Sequence, residues 1–225
     1  MPDHVSPFVS SLFPFVAEDL AVHQNPVTCL LYGVDRPIVV KAPDERIEGH
    51  IVLVRPGVSH SVEIRGRARV LYLNGLQFPS HSPLAENVSG KTGRLASDAF
   101  DSDPFALDEL RATLSHRLAI CPADIADIVS DIADDAMARM SQVELAKRLD
   151  MERTRALRYF QAATGMTFRS FKRWSGLQAA SHRIARGELI RTAAMDAGFA
   201  DSAHLTRTFR SMFGITPSAA TADLR

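Results

Sequence analysis

Cysteine is nearly missing from this sequence: Cys29 and Cys121 are the only two in 225 residues. Two thiols are too few for a disulfide framework or a cysteine-based zinc site, and they point to a reducing, cytoplasmic setting. No stretch approaches the about 18 consecutive apolar residues of a membrane span, so no membrane partner is expected. The opening residues MPDHVSPFVSS place acidic and histidine side chains where a secretory leader would carry positive charge. No nucleophile–base pairing or glycine-rich phosphate loop is present, so no catalytic residue is expected and the chain reads as a non-enzyme. A net charge is lacking as well, with 26 Lys+Arg against 26 Asp+Glu.

That neutrality hides an asymmetry. Residues 1–140 carry 12 Lys+Arg against 19 Asp+Glu; residues 141–225 carry 14 against 7, and 12 of those 14 are Arg. Arginine's planar fork suits bidentate contact with phosphate and guanine. An acidic front and a basic back predict two domains, one of which meets a polyanion. Ordinary solvated surface gives the same imbalance, so the pattern of residues must decide.

The first ~80 residues read as strands. Val27–Tyr32, Pro37–Lys41, Ile51–Val54 and Arg69–Leu73 are short runs rich in β-branched and aromatic residues, separated by turn residues such as Pro56-Gly57, Gly66 and Asn74-Gly75. Close-set strands of this kind predict a small barrel or sandwich. Residues 79–104, polar and rich in Ser, Pro and Gly, read as a loop or linker. Beyond Pro104 the period becomes helical. Leu107, Leu110, Leu114 and Leu118 form one stripe, and Ile125, Ile128, Val129 and Ile132 form the next, after a start at Pro122-Ala123-Asp124. The segment Phe105–Leu118 is equally a dimerisation helix of a homodimer or an intramolecular packing face.

Between Ser141 and Pro217 lies a diverged internal repeat. Glu144–Met151 and Thr192–Phe199 align at an offset of 48, pairing Ala146 with Ala194, Asp150 with Gly198 and Met151 with Phe199. In the helices that follow, the offset is 49, pairing Ala156 with Leu205, Arg158 with Arg207 and Phe160 with Phe209. A helix-turn-helix needs a small residue where its helices cross, here Ala146 and Ala194. Its turn needs a residue tolerant of positive φ; Gly198 adopts one freely and Asp150 at modest cost. Leu205, Phe209, Met212 and Phe213 group on one face of the second helix; Ala203, Thr206, Arg207 and Arg210 lie on or beside the other. In the first copy Ala156, Tyr159, Phe160 and Ala163 group inward while Thr154, Leu157, Arg158 and Gln161 face outward. An outward Leu157 suits thymine methyls in a major groove; the opposing arrangement would bury Leu157 and expose Ala156.

Gly198-Phe199, His204–Arg210 and Phe213–Pro217 resemble the signature of the AraC/XylS family of bacterial transcription regulators, and the likeness extends over about residues 123–225, with Ala163-Thr164-Gly165 closing the first recognition helix. The resemblance implies an α+β chain: a small cupin-like β-barrel or sandwich, reduced in size, then an all-α domain of two helix-turn-helix units joined by a long helix, Phe168–Arg186. The boundaries it suggests are an effector domain with linker over 1–100, a helical connector over 101–122 and a DNA-binding domain over 123–225. It further implies both recognition helices in successive major grooves, with Thr154, Arg155, Leu157, Arg158, Gln161, Ser202, Ala203, Thr206, Arg207 and Arg210 meeting DNA. The partners it implies are double-stranded DNA, RNA polymerase and a small-molecule or protein effector whose contact residues stay open. Three positions depart from the family: Gly176 stands where Arg is usual, Glu152 replaces a Ser/Thr cap and Asp150 replaces Gly. Gly176 should lower helix stability by up to ~1 kcal/mol.

Val54–His60 resembles the proline-glycine turn and histidine of a cupin barrel. His50 and His60 invite a metal reading, but no third His or carboxylate ligand accompanies them, so no metal or other cofactor is expected. The alternatives from other classes are a cupin-type metalloenzyme with an appended helix-turn-helix domain, a DNA-repair methyl acceptor and an interaction protein that no longer touches DNA. Neither cysteine has the supporting cluster that methyl transfer needs, and the outward arginines speak against the last.

Overall fold

The structure is a computed structural model that describes residues 11–16, 19–79, 81–115, 117–118, 121–134 and 140–220. The chain divides into two compact units, one built on residues 119–208 and the other on residues 10–118 with 209–223.

The second of these holds the strands β1 (Ser11–Val16), β2 (Leu20–Gln24), β3 (Thr28–Gly33), β4 (Ile38–Ala42), β5 (Glu45–Gly49), β6 (Ile51–Val54), β7 (Ser59–Glu63), β8 (Arg67–Leu73), β9 (Leu76–Gln77) and β10 (Ala85–Asn87). Helices α1 (Gly90–Phe100) and α2 (Pro104–Leu114) follow, then β11 (Arg117–Leu118). One sheet has the order β1-β8-β3-β6-β10 and the other β2-β7-β4-β5, while β9 pairs with β11. Every pairing is antiparallel, and the two sheets form a sandwich.

The apolar runs read from sequence are the strands covered on both faces. Leu53, Leu30 and Leu71 sit opposite one another across β6, β3 and β8. That row packs against Ala96, Ala99 and Phe100 of α1 and Ala106 and Leu110 of α2. The next row, Val52, Leu31 and Val70, points to the opposite face and is equally buried. Strands buried on both sides lose alternation and become continuous apolar runs. β5 and β7, with exposed or half-buried alternate residues, carry no such run and were not legible in this way.

Residues 79–104 are not wholly a loop: α1 lies within them. Its buried face consists of two alanines and Phe100, too small an apolar signal to stand out among Gly, Ser and Lys. The leucine stripe ends earlier than expected, since α2 stops at Leu114 and Leu118 belongs to β11. Leu110 is fully buried and Leu107 and Leu114 pack on the same core, so the stripe is an intramolecular packing face, with Phe105 left exposed. Within this unit Met212–Gly214 lie against β2 and β8. The Ala21 amide donates to Gly214 O (2.9 Å), the Asn25 amide side chain donates to Met212 O, and Tyr72 and Phe213 rings are 5.3 Å apart.

The other unit is helical: α3 (Ala123–Asp134), α4 (Gln142–Arg148), α5 (Arg153–Thr164), α6 (Phe168–Ala185), α7 (Ile190–Asp196) and the start of α8 (Ser202–Phe213), which runs on to a short α9 (Pro217–Ala220). The expected stripe of α3 is inside, with Ile125, Ile128, Val129 and Ile132 all buried. α6 is the spine, burying Phe168, Phe171, Trp174, Leu177, Ala180 and Ile184. The Phe160 ring of α5 meets Phe168 and Phe171 edge-on at 5.2 and 5.4 Å.

Candidate nucleic-acid interface

The repeat is reproduced hydrogen bond by hydrogen bond. In the first turn Leu149 N donates to Leu145 O (3.1 Å), Asp150 N to Lys147 O (3.2 Å) and Met151 N to Ala146 O (3.0 Å). In the second, Ala197 N donates to Ala193 O (3.1 Å), Gly198 N to Met195 O (3.0 Å) and Phe199 N to Ala194 O (2.9 Å). Each bond has its partner 48 positions on. The residue at the bend has positive φ in both, 49° at Asp150 and 79° at Gly198. The helices after the turns obey the second offset. Gly165 N bonds Gln161 O (2.8 Å) and Gly214 N bonds Arg210 O (2.9 Å), with φ of 75° and 73°. The likeness continues beyond the part read as a repeat: Thr167 Oγ1 accepts from Ser170 N as Thr216 Oγ1 accepts from Ala219 N, both at 3.2 Å. α9 is thus a one-turn counterpart of the beginning of α6.

The expected DNA-facing residues are all open to solvent in whole or in part. Thr154, Arg155, Arg158 and Gln161 are exposed on α5 and Leu157 is half-buried, while Ala156 and Phe160 are fully buried, which excludes the swapped arrangement. On α8, Ala203, Arg207 and Arg210 are exposed and Ser202 and Thr206 half-buried, above a face of Leu205, Phe209, Met212 and Phe213 that is buried throughout. The Thr206 hydroxyl donates to Ser202 O (2.8 Å), so it offers outward only lone pairs and a methyl group. Tyr159, placed inward from sequence, is half-buried, and its hydroxyl donates to Asp124 (3.2 Å).

The basic residues divide into two sets. Arg148 is tied to Asp131 (2.5 Å), Arg183 to Glu188 (3.1 Å) and Asp196 (2.8 Å), and Arg186 to Glu188 (3.7 Å). Among the described residues no acidic side chain pairs with Arg155, Arg158, Arg207 or Arg210. Arg153 on α5, Arg169 and Arg173 on α6 and Arg191 on α7 likewise have no acidic partner among the described residues.

The irregular cap at Glu152 is a working one. Its carboxylate accepts from Thr154 N (2.8 Å) and Arg155 N (3.2 Å), and these amides hold it below the usual carboxylate range. On the second helix, Asp201 accepts from His204 N (2.6 Å). Both helix N-termini, where amides and dipole would attract phosphate, are therefore already engaged by the chain's own carboxylates.

Other residues that place the helices left no trace in the sequence. Lys172 Nζ donates to Met140 O (2.7 Å) and Ser175 Oγ to Ile132 O (3.1 Å), both bonds to backbone carbonyls that no pairing of side-chain types reveals. Gly176 proves to be buried, with room for nothing larger.

In the sandwich unit, the ring that meets His60 is His23, not His50, at 4.2 Å between centroids. Each is fixed through Nδ1 to the carbonyl two residues back, Ala21 O and Val58 O. Burial first, then the neighbouring His60, pushes His23 down to about 3, and burial likewise lowers His60. His50 is exposed and bonds Gly33 O. Among the described residues no group of three or more His, Cys, Asp or Glu could hold a metal ion, and no helix is long and apolar enough to cross a membrane.

Residues 145–222 match a family described as a helix-turn-helix domain. No curated protein sequence matches the chain. The fold is similar to that of ToxT from Vibrio cholerae. An apo variant of ToxT shares 13% identity over 98% of both chains with a TM-score of 0.62. ToxT bound to a methylnaphthalenyl butenoic acid shares 12% over 97% of this chain and 99% of that one, TM-score 0.64. ToxT bound to an unsaturated fatty acid shares 13% over 97% and 96%, TM-score 0.56. Residues 145–222 are thus similar to a helix-turn-helix domain family, on a chain whose fold is similar to that of ToxT.

Proposed function

We propose that the chain is a sequence-specific DNA-binding transcription regulator that sets α5 and α8 into successive major grooves, roughly 34 Å apart. The observation that carries this is the duplicated turn. Two hairpins with the same backbone hydrogen bonds each present a solvent-facing helix with small or hydroxyl side chains and arginines that meet no acidic partner among the described residues. In the first unit Thr154, Arg155, Leu157, Arg158 and Gln161 meet DNA; in the second Ser202, Ala203, Thr206, Arg207 and Arg210 do. Arg158 and Arg207 occupy matching positions and read base edges, whereas Arg210, nearer the helix end, holds phosphate. The boundaries that go with this reading are an effector domain over 1–100, a connector over 101–122 and a DNA-binding domain over 123–225.

The sandwich is the place for an effector. ToxT has been solved with an unsaturated fatty acid and with a butenoic acid bound, which supports a small-molecule effector here. By linkage, effector and DNA must change each other's affinity by the same factor. RNA polymerase is the protein partner that such regulation calls for.

The test is selection of bound sequences from random duplex DNA by the full chain, followed by affinity against salt. Enriched duplexes should contain two half-sites, and affinity should drop steeply as released counterions are replaced. No enrichment even at low salt would end this reading.

A further inference from the structure

We propose that the Ser175–Gly176 step of α6 is the gauge that fixes the spacing of the two recognition helices, and so selects DNA by half-site separation. This rests on the DNA-binding reading above. Adjacent residues on a helix point roughly 100° apart, and here Ser175 points at α3, which precedes the first hairpin, while Gly176 points at the second hairpin. On one side, Ser175 Oγ bonds Ile132 O at the end of α3, and one turn earlier Lys172 Nζ bonds Met140 O, beside the residue that caps α4. The Phe168 and Phe171 rings grip Phe160 of α5. On the other side, Gly176 lies against the turn of the second hairpin. A Cβ there would stand 2.8 Å from Ala197 O and 3.6 Å from the Phe199 ring.

The nearer atom is backbone, in the very turn that launches α8, so it cannot give way as a flexible side chain would. Two turns further along the spine, Arg183 locks the same hairpin through Asp196 (2.8 Å). Gly176 therefore brings the second hairpin closer to α6 than any other residue would allow. This accounts for a helix-weakening glycine at a position where the resembling family has Arg. The substitution that costs helix propensity permits the approach, and the approach sets where α8 stands relative to α5.

The experiment uses the full chain and a selected duplex whose two half-sites are moved together or apart by one base pair. Wild type should prefer one spacing and lose on the order of tenfold at the neighbouring ones, the cost of a mis-set contact. Gly176→Ala should move or erase that optimum while leaving affinity for an isolated second half-site unchanged. Ser175→Ala, which removes a hydrogen bond without adding bulk, should fold and should flatten the spacing preference. A folded Gly176→Ala chain with the wild-type optimum overturns the proposal. Should Gly176→Ala not fold, Ser175→Ala decides, and an unaltered preference overturns it. Wild type binding tightly to one half-site but indifferent to spacing also overturns it, whereas wild type binding no duplex defeats the DNA-binding reading itself.

Discussion

The two helix-turn-helix units have matching turn hydrogen bonds but secure their helices by different means. In the first unit both helices start on a side-chain cap, in addition to the support that α3 and α6 give it. α4 begins with a reciprocal capping box between Ser141 and Glu144, and α5 begins on the Glu152 carboxylate. α7 of the second unit has no side-chain cap, and its N-cap residue Leu189 is exposed. That unit's second helix keeps a local cap at Asp201, but α7 is held from α6, by the close approach at Gly176 and by Arg183 reaching Asp196. At the bends the roles reverse: Gly198 fits its positive φ without cost, and Asp150 does not. What the repeat keeps is the set of backbone bonds, and several side-chain chemistries satisfy it.

The largest test of this comparison is on DNA. Arg207→Ala should cost ~1–3 kcal/mol of binding and relax preference at one base pair, and Arg158→Ala should do the same one helical turn away. Arg210→Ala should weaken all sequences alike and flatten the salt slope. Base-by-base affinity profiles check this. If the Arg207 and Arg158 variants alter the same positions, the units do not read separate half-sites.

Next in size is the exchange at the bends. Gly198→Ala forces a Cβ into the left-handed region and should destabilise the second unit by ~1–2 kcal/mol. Asp150→Gly relieves the same strain but adds unfolded-state freedom, so it should stabilise the first by less than ~1 kcal/mol. Denaturant midpoints at unchanged slope measure both. Losses of equal size at the two positions would mean that the bends are not the asymmetric pair that their φ values indicate.

The sequence displayed the parts of the molecule whose causes are local. The helix-turn-helix register could be read because small, positive-φ and apolar positions recur within a few residues of each other, and both offsets match the backbone bonds. β3, β6 and β8 showed because burial on two faces makes them apolar throughout. β5 and β7 alternate with polar residues, and α1 buries little more than two alanines and a phenylalanine, so neither stood out. The ring partner of His60 was hidden for a related reason. His50 and His60 are near in sequence, but the strand pairing of β2 with β7 places His23 opposite His60. Gly176 looked like a defect in a helix because propensity is a property of the helix alone. Its use depends on a carbonyl twenty-one residues away, which no local pattern contains.

The smallest and most selective effect concerns the Glu152 cap. Glu152→Ala should lower stability through the two α5 amides left without a partner, and Glu152→Gln should restore part of it. Acid does the same without mutation. Glu152 and Glu144 both have folded pKa values depressed below the ordinary 4.5, chiefly by hydrogen bonds from Thr154 and Arg155 and from Ser141. A depressed carboxylate stabilises the fold fully above its unfolded pKa and loses that contribution as pH falls through the folded value. The caps of the first unit should therefore be intact at neutral pH and should weaken below about pH 4.5. Amide exchange at Thr154 and Arg155, followed downward from pH 6 relative to the Phe199 and Gly214 amides that bond to backbone carbonyls, isolates the effect. Protection should fall first at the two Glu152-bound amides and should be insensitive to acid in Glu152→Gln. If all four amides lose protection together, the first unit is not held by its own carboxylates, and the contrast between local and borrowed support fails.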